Sequence, residues 1–325
     1  MKFSFKLFIQ TIIIIFISCN KELPIIDNSS DVVVFDKLGN DGPYTYGETY
    51  FGRNGYITYY PGNIPIILSI PHGGDITPLE IPDRSYGVSV TDSNTIELGI
   101  TISNYFYENY NIKPYLVINN LDRSKLDANR AKTEAAQRNI FAERAFDEFH
   151  FYISEARTDI INKFTTGILF DIHGHGVNPD GFYDMRTWIG YLLSGEELDN
   201  SDEYIDENIL IEKTSIFNLI KHSNRKLSEL LRGPNSLGSL FEQNNYTALP
   251  SSNSPGPEGM RYFSGGYNTF LYGTNQDINF SAIQLEFPYP GLRDTEESRS
   301  LFSSTFVNLV KDYFLFHLDV DLLSL

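Results

Sequence analysis

The stretch Ile66-Ile-Leu-Ser-Ile-Pro-His-Gly-Gly-Asp75 joins an apolar run to a histidine that is flanked by turn-forming residues. Its first five residues are apolar except for Ser69, which predicts a buried strand. Phe170-Asp-Ile-His-Gly-His175 and Gln284-Leu-Glu286 also place a histidine or a carboxylate where an apolar run stops. Because open α/β sheets bind ligands at the carboxyl ends of their strands, the three stretches predict one site at that edge.

Strand-like runs alternate with helical segments along the rest of the chain. The strands are expected at 66–70, 115–118, 167–172, 187–193 and 281–287, and the helices at 92–110, 129–164, 215–231 and 297–316. Arg53-Asn-Gly55 indicates a hairpin, and residues 233–273 are expected to be long and irregular, which is typical of functional loops. The pattern predicts an α/β fold, with a mixed, largely parallel sheet and helices on both faces.

The composition is that of a folded, acidic protein. Of 325 residues, 41% are hydrophobic and 14% aromatic, and the net charge is −17. Such a surface repels nucleic acid, so no nucleic-acid partner is expected. An anionic substrate would need arginines placed locally at its site.

The first residues are typical of an export signal. Lys2 and Lys6 precede an apolar run at 7–17, which is too short for a comfortable membrane span and fits a secretory signal peptide. The single cysteine of the chain, Cys19, ends this run and resembles the lipidated cysteine of a bacterial lipobox. The alternative is an ordinary signal peptide with an incidental cysteine.

These features divide the chain into three parts. Residues 1–18 are predicted to be a lipoprotein signal peptide, residues 19–45 a tether, and residues 46–325 a single catalytic domain. The expected location is the bacterial cell envelope, with membrane contact only through the lipid anchor. No disulfide can form within a chain that has one cysteine.

Three of the six histidines follow strand-like runs and are surrounded by glycine: His72, His173 and His175. A catalytic zinc takes three protein ligands and keeps one position open. His72 and Asp75 would supply two ligands from one turn, and His173 the distant third. The alternative for His72 is a turn histidine that bonds to backbone. His150, His222 and His317 lie in or beside expected helices and are interpreted as structural.

Four short motifs together resemble the N-formylglutamate amidohydrolase family, which is similar in fold to zinc carboxypeptidases and aminoacylases. They are Ser69-Ile-Pro-His-Gly-Gly74, Leu126-Asp-Ala-Asn-Arg130, Asp171-Ile-His-Gly174 and Ile283-Gln-Leu-Glu286, and the resemblance covers about residues 60 to 315. It implies a zinc carboxypeptidase-like fold and hydrolysis of a C–N amide bond.

The resemblance also implies residue roles. His72 and His173 match the metal-binding histidines, and Asp75 stands where carboxypeptidase-like enzymes use a longer glutamate. Glu80 and Asp92 are therefore alternative carboxylate ligands. Asp171 would orient a ligand from outside the metal site or cap the following loop, and His175 would bind substrate or lie outside the ligand set.

Glu286 matches the general base that activates water and then protonates the leaving amine. Its alternative role is a salt bridge, for example to Arg293. Asn129 and Arg130 match the pair that holds the substrate carboxylate, since the guanidinium forms two parallel hydrogen bonds with a carboxylate. The alternative is that Arg130 pairs with Glu134 one helical turn away. Arg123 and Arg293 are further candidate anion contacts.

We therefore expect a zinc-dependent hydrolase acting on an N-acyl amino acid, a γ-glutamyl compound or a peptide with a carboxylate. An export signal is unexpected for formylglutamate degradation, so peptide, cell-wall or polyglutamate substrates are alternatives. The rival is a non-catalytic envelope lipoprotein that binds an acidic or glycan ligand. A serine hydrolase is disfavoured because Phe263-Ser-Gly-Gly266 lacks the nucleophile elbow.

Overall fold

The computed structural model describes residues 33–176, 181–276 and 278–325. Leu38–Leu325 form one compact unit, which does not include Met1–Lys37. The expected signal peptide, Cys19 and the expected tether as far as residue 32 lie outside the described residues.

The compact unit begins earlier than the expected end of the tether at residue 45. The Tyr44 ring packs edge-on against Tyr50, Tyr59 and Tyr152, at centroid separations of 4.9, 5.3 and 5.7 Å. Such edge-to-face pairs stabilise aromatic clusters beyond the area that they bury. These aromatic contacts hold the segment around Tyr44 against the rest of the compact unit.

Eight strands form one mixed sheet in the order β1-β2-β4-β3-β5-β8-β6-β7. They are β1 Tyr50–Phe51, β2 Ile57–Tyr60, β3 Ile66–Ile70, β4 Tyr115–Asn119, β5 Gly167–Gly174, β6 Thr187–Gly190, β7 Ala248–Leu249 and β8 Phe280–Phe287. The four central strands, β4, β3, β5 and β8, are parallel, while β2 and β6 run antiparallel to their central neighbours. The expected mixed, largely parallel α/β sheet is confirmed.

The described residues form eleven α-helices. They are α1 Thr95–Tyr110, α2 Lys132–Ala136, α3 Ile140–Phe164, α4 Gly195–Leu198, α5 Asp202–Ile205, α6 Asn208–Lys213, α7 Phe217–Ser223, α8 Leu227–Arg232, α9 Leu237–Gln243, α10 Tyr267–Gly273 and α11 Glu296–Leu318. No helix in the described part of the chain combines the length and the apolar composition that crossing a membrane requires.

Alternate side chains of the central strands enter two separate cores. In β3, Ile66, Leu68 and Ile70 pack with α1 and α11 on one face, while Ile67 packs with α3 on the other. Because successive strand residues point to opposite faces, a strand buried on both sides must be apolar almost throughout. This requirement explains the near-continuous apolar runs in the sequence.

Two expected helices are interrupted. The helix expected over 129–164 is divided into α2 and α3, and α3 begins at Ile140, where the Asn139 side chain accepts hydrogen bonds from the amides of Phe141 and Ala142. The helix expected over 215–231 is divided into α7 and α8 at Asn224, which has a φ of 53°. Asparagine tolerates this left-handed backbone and ends helices there.

Other expectations differ in detail. The segment 194–212, between the expected strand and the next expected helix, contains α4, α5 and α6, and Ser194 and Ser201 cap the first two. Residues 233–273 are not irregular throughout, because they contain α9, β7 and α10. The expected hairpin around Arg53–Gly55 is confirmed by β1 and β2.

Helix α11 offers a matched test of the packing on its sheet-facing side. Leu309 is 2% exposed, whereas Leu301 on the same helix is 66% exposed. We expect Leu309→Ala to lower the free energy of unfolding by about 2–5 kcal/mol, because it removes buried methyl groups and leaves a cavity. Leu301→Ala should change it by about 0.5 kcal/mol or less. Equal effects in urea unfolding would contradict this arrangement of the helix.

Candidate metal centre and active site

On the face of the sheet that packs against α3, the side chains change from apolar to polar towards the carboxyl ends of the central strands. In β5, Leu169 is followed on the same face by Asp171 and His173. In the neighbouring β8, Gln284 lies beside Asp171 and Glu286 beside His173. The alternation that builds the core thus also builds the floor of a polar site.

Two histidines and one carboxylate meet above this floor. His72 follows β3, His173 ends β5, and Asp92 precedes α1. The Nδ1 atoms of the two imidazoles are 3.1 Å apart, and Asp92 Oδ2 lies 3.2 Å from His173 Nδ1 and 3.5 Å from His72 Nδ1. We call His72, Asp92 and His173 the His–Asp–His cluster. All three side chains are buried.

The cluster has the dimensions of a metal site. Ligand nitrogens about 2.0–2.1 Å from a tetrahedral zinc stand roughly 3.3 Å from one another. The spacing of the three candidate ligand atoms is close to this value, and they form a group that could hold a metal ion. The donor set of two imidazoles and one carboxylate is one that catalytic zinc uses.

Buried carboxylates fix the opposite side of each imidazole. Asp127 Oδ1 lies 2.6 Å from His72 Nε2, and Asp171 Oδ2 lies 2.8 Å from His173 Nε2. Each Nε2 therefore carries the donated proton in the neutral ring, which leaves the Nδ1 lone pairs directed towards each other and towards Asp92. Carboxylate partners of this kind orient metal-binding histidines and raise their basicity. The residues present therefore fit a divalent cation.

The pKa values of the cluster show how strongly it attracts positive charge. Burial lowers the pKa of His173, but the charge and hydrogen bond of Asp171 outweigh it and raise the value to about 10. Burial raises the pKa of Asp92, but the hydrogen bond from the protonated His173, with His72 beside it, holds the value well below its usual range. A metal cation would replace the proton that His173 otherwise retains.

Asp92 reaches the cluster because of local backbone contacts. Its backbone amide donates to the His72 carbonyl at 2.9 Å, and the Gly174 amide donates to Asp92 Oδ2 at 3.2 Å. The residue that precedes α1 is Asn94, in a left-handed conformation and without a side-chain cap. The Asp92 side chain is thus used by the site rather than by the helix.

The structure puts Asp75, the residue expected to be the third ligand, on the exposed surface and outside the His–Asp–His cluster. Asp92 takes that place because the loop after β3 folds back onto His72. Glu80, the other alternative, accepts hydrogen bonds from Arg53 and Tyr56 away from the cluster.

Glu286 is buried beside the cluster. Gln284 Nε2 donates to its Oε1 at 2.8 Å, and the fully buried Trp188 is its neighbour on β6. Burial raises the pKa of Glu286 above its ordinary value, because a charged carboxylate is poorly solvated there. The expected alternative, a salt bridge with Arg293, is not observed: that guanidinium donates to the carbonyls of Phe287 and His175.

Asn129 and Arg130 lie beside the cluster, in the irregular segment before α2. Asn129 Nδ2 is 3.2 Å from His173 Nε2, and its Oδ1 accepts a hydrogen bond from the Asn268 amide at 2.8 Å. Arg130 lines the cavity into which the cluster opens. Its Nε also lies 3.3 Å from Glu134 Oε1. The alternative pair of Arg130 with Glu134 is therefore present, and it is exposed.

These groups open into a cavity of 720 Å³, which includes His72, Asp92, His173 and Glu286 in its lining. His175 also lines it; the ring stacks on Trp188 at 4.1 Å, and its Nε2 lies 2.9 Å from the Arg186 carbonyl. The buried position lowers the pKa of His175. The cavity thus connects the cluster and the carboxyl group of Glu286 with the outer surface.

Sequence reasoning missed the role of Asp127. This fully buried residue contacts His72, and Arg123 pairs with it at 3.1 Å. Asp127 lies in the motif Leu126–Arg130. Its spacing of four residues from Arg123 could have indicated a buried ion pair. Arg123, expected as a substrate contact, instead compensates buried carboxylates, since it also lies 3.6 Å from Asp92.

Metal content should separate the two candidate aspartates. We expect about one zinc per chain in the wild type and in Asp75→Ala, and little zinc in Asp92→Ala, because Asp92 alone of these two contributes to the cluster. Elemental analysis after dialysis measures this difference. Loss of zinc in Asp75→Ala but not in Asp92→Ala would contradict the geometry, and no zinc in the wild type would favour the non-catalytic binding protein.

Comparisons with known proteins concern the fold. The sequence matches no family model and no curated protein. The crystal structure of a gene product from Agrobacterium tumefaciens is similar with a TM-score of 0.50 and 12% identity, over 80% of this chain and 94% of that chain.

An N-formylglutamate amidohydrolase from Ralstonia eutropha has a TM-score of 0.43 and 13% identity, over 81% of this chain and 96% of that chain. The CwlD amidase from Clostridioides difficile has a TM-score of 0.33 and 12% identity, over 78% of this chain and 98% of that chain. At these identities, the likeness to the Agrobacterium protein shows a shared α/β fold, and the function has to be argued from the site.

Proposed function

We propose that this protein is a zinc-dependent hydrolase of a C–N amide bond in an N-acyl amino acid, a γ-glutamyl compound or a peptide. The observation that carries the proposal is the orientation of the two histidines. Asp127 and Asp171 hold their Nε2 atoms, so both Nδ1 atoms face Asp92 beside a buried carboxyl group in an accessible cavity.

His72, Asp92 and His173 would hold the zinc. A bound zinc supplies a Lewis acid that polarises the amide carbonyl and makes water more acidic. Asp127, Asp171 and Arg123 keep the ligand atoms in place and balance the buried charge. Such outer contacts matter because ligands held by packing and hydrogen bonds need no reorganisation when the ion binds.

Glu286 would move the proton. Burial raises its pKa above that of an exposed glutamate, which suits a group that accepts a proton from water and returns it to the leaving amine. The hydrogen bond from Gln284 leaves one carboxylate oxygen without a contact from that amide. Trp188 beside it excludes water from the sheet side.

Asn129 and Arg130 would position the substrate carboxylate. The Asn268 amide at the start of α10 donates to Asn129 Oδ1, and Asn129 Nδ2 donates to Gln284 Oε1 at 3.5 Å, so the Asn129 side chain has a defined orientation beside the cluster. Arg130 is more exposed and would exchange its contact with Glu134 for the substrate. An arginine suits this role because its planar group binds a carboxylate through two hydrogen bonds.

The role of Glu286 is tested by removing its charge. We expect Glu286→Gln to retain zinc but to lose at least about 100-fold in kcat against an N-acyl amino acid and peptide panel, as is typical for loss of a general base. Glu97→Gln, at an exposed glutamate of α1, should behave like the wild type. Unchanged turnover by Glu286→Gln would refute the assignment.

We also propose that the protein is an exported lipoprotein anchored through Cys19. This proposal rests on the sequence of the first 19 residues alone. Cys19→Ser should move the protein from the membrane fraction to the soluble fraction of an expressing bacterium, and mass spectrometry should detect acyl groups only on the wild type. Membrane association that persists in the variant would argue against the anchor.

A further inference from the structure

The four arginines that line the cavity are not equivalent. Arg123 and Arg293 are buried, and protein groups already receive their hydrogen bonds. Arg123 donates to Asp127 and to the Val90 carbonyl, while Arg293 donates to three backbone carbonyls. The hydrogen bonds of these two arginines stabilise the protein segments that line the cavity.

The other two arginines lie nearer the solvent. The Arg130 side chain is 36% exposed, and Arg261 is exposed on the segment between β7 and α10. They come from separate segments but line the same cavity. In a chain with a net charge of −17, two accessible guanidinium groups at one opening favour a substrate with more than one anionic group.

The mouth of the same cavity is apolar. Four of its lining residues are exposed apolar or aromatic side chains: Val88 at 50%, Val90 at 73%, Phe263 at 37% and Tyr289 at 37%. Phe263 is held in place, because the Arg261 guanidinium lies 4.8 Å from its ring centroid and Trp188 lies 5.5 Å away on the inner side. A fixed aromatic surface therefore extends from the outer rim towards the metal site.

The cavity is also large for a small substrate. Its volume of 720 Å³ lies within the range of about 300–1,000 Å³ that suits drug-sized ligands. An N-formyl amino acid would leave much of this space, and the apolar rim, filled with water. Burying an aromatic group on such a rim should raise the affinity about tenfold or more.

We propose that the substrate is an acidic amino acid carrying a bulky apolar N-acyl group, with Phe263 contacting the acyl group and Arg261 the side-chain carboxylate. The proposal deepens the proposed function and depends on it for the position of the α-carboxylate, which Asn129 and Arg130 would hold. Arg261, which is exposed and lines the same cavity, would contact the second carboxylate. Phe263 and Arg261 act as residues that determine specificity.

Binding to the zinc-loaded Glu286→Gln protein tests this substrate class without turnover. Calorimetry should give a Kd for N-benzoyl-L-glutamate at least about tenfold lower than for N-formyl-L-glutamate. Adding Phe263→Ala should reduce this preference to about threefold or less. The matched control is Phe270→Ala, since Phe270 is 58% exposed on α10 and does not line the cavity; it should leave the preference unchanged.

The contact between Arg261 and the side-chain carboxylate is tested with a ligand that has a neutral side chain. Arg261→Gln should weaken the binding of N-benzoyl-L-glutamate about tenfold, but that of N-benzoyl-L-glutamine less than about twofold. A similar loss for both ligands would overturn the role of Arg261. Equal affinity of the Glu286→Gln protein for the benzoyl and formyl compounds, or equal effects of Phe263→Ala and Phe270→Ala, would overturn the apolar subsite.

Turnover by the wild type separates this inference from the proposed function. We expect kcat/KM for N-benzoyl-L-glutamate to exceed that for N-formyl-L-glutamate at least tenfold. If the binding preference is found but neither compound nor any other member of the panel is hydrolysed, the hydrolase proposal fails and the subsite stands. If the formyl compound is the better substrate, the subsite fails and the hydrolase proposal stands.

Discussion

The central constraint on this site is that two imidazole nitrogens, each with a lone pair, face each other at 3.1 Å in a buried place. Such an arrangement is unfavourable unless a cation lies between them, and the proton retained by His173 serves this purpose when no metal is bound. Asp127 and Asp171 impose the orientation by holding the other nitrogen of each ring. The surrounding contacts can be understood as support for these two carboxylates.

That support comes from elements far apart in the chain. Asp171 is held by the Ser69 hydroxyl on β3 and, at 3.1 Å, by the Asn268 side chain on α10. Asp127 is held by Arg123, which also stands near Asp92. The geometry of the ligands therefore depends on contacts among β3, β5 and α10, which are far apart in the sequence.

The sequence predicted the parts of the fold that depend on periodicity. Apolar runs such as 66–70 indicated central strands. Because open α/β sheets bind ligands at the carboxyl ends of their strands, His72, His173 and Glu286 were expected at one edge, where the structure has them. It could not distinguish Asp75, Glu80 and Asp92, because all three lie in one loop and have similar chemistry. The choice depends on a backbone bond between Asp92 and His72 that no local pattern indicates. Likewise, the break between α2 and α3 depends on the left-handed backbone of Gln137 and Arg138 and on the Asn139 cap.

Trp188 is the single tryptophan of the chain, and it is fully buried between His175 and the edge of the cavity. It also lies beside Glu286 on the neighbouring strand. Indole fluorescence excited at its red edge, where the tyrosines do not absorb, therefore originates from a single point in the molecule. The emission of the unlabelled protein becomes an optical signal of the candidate metal centre, by which the arrival of an ion or of an aromatic ligand can be followed in real time.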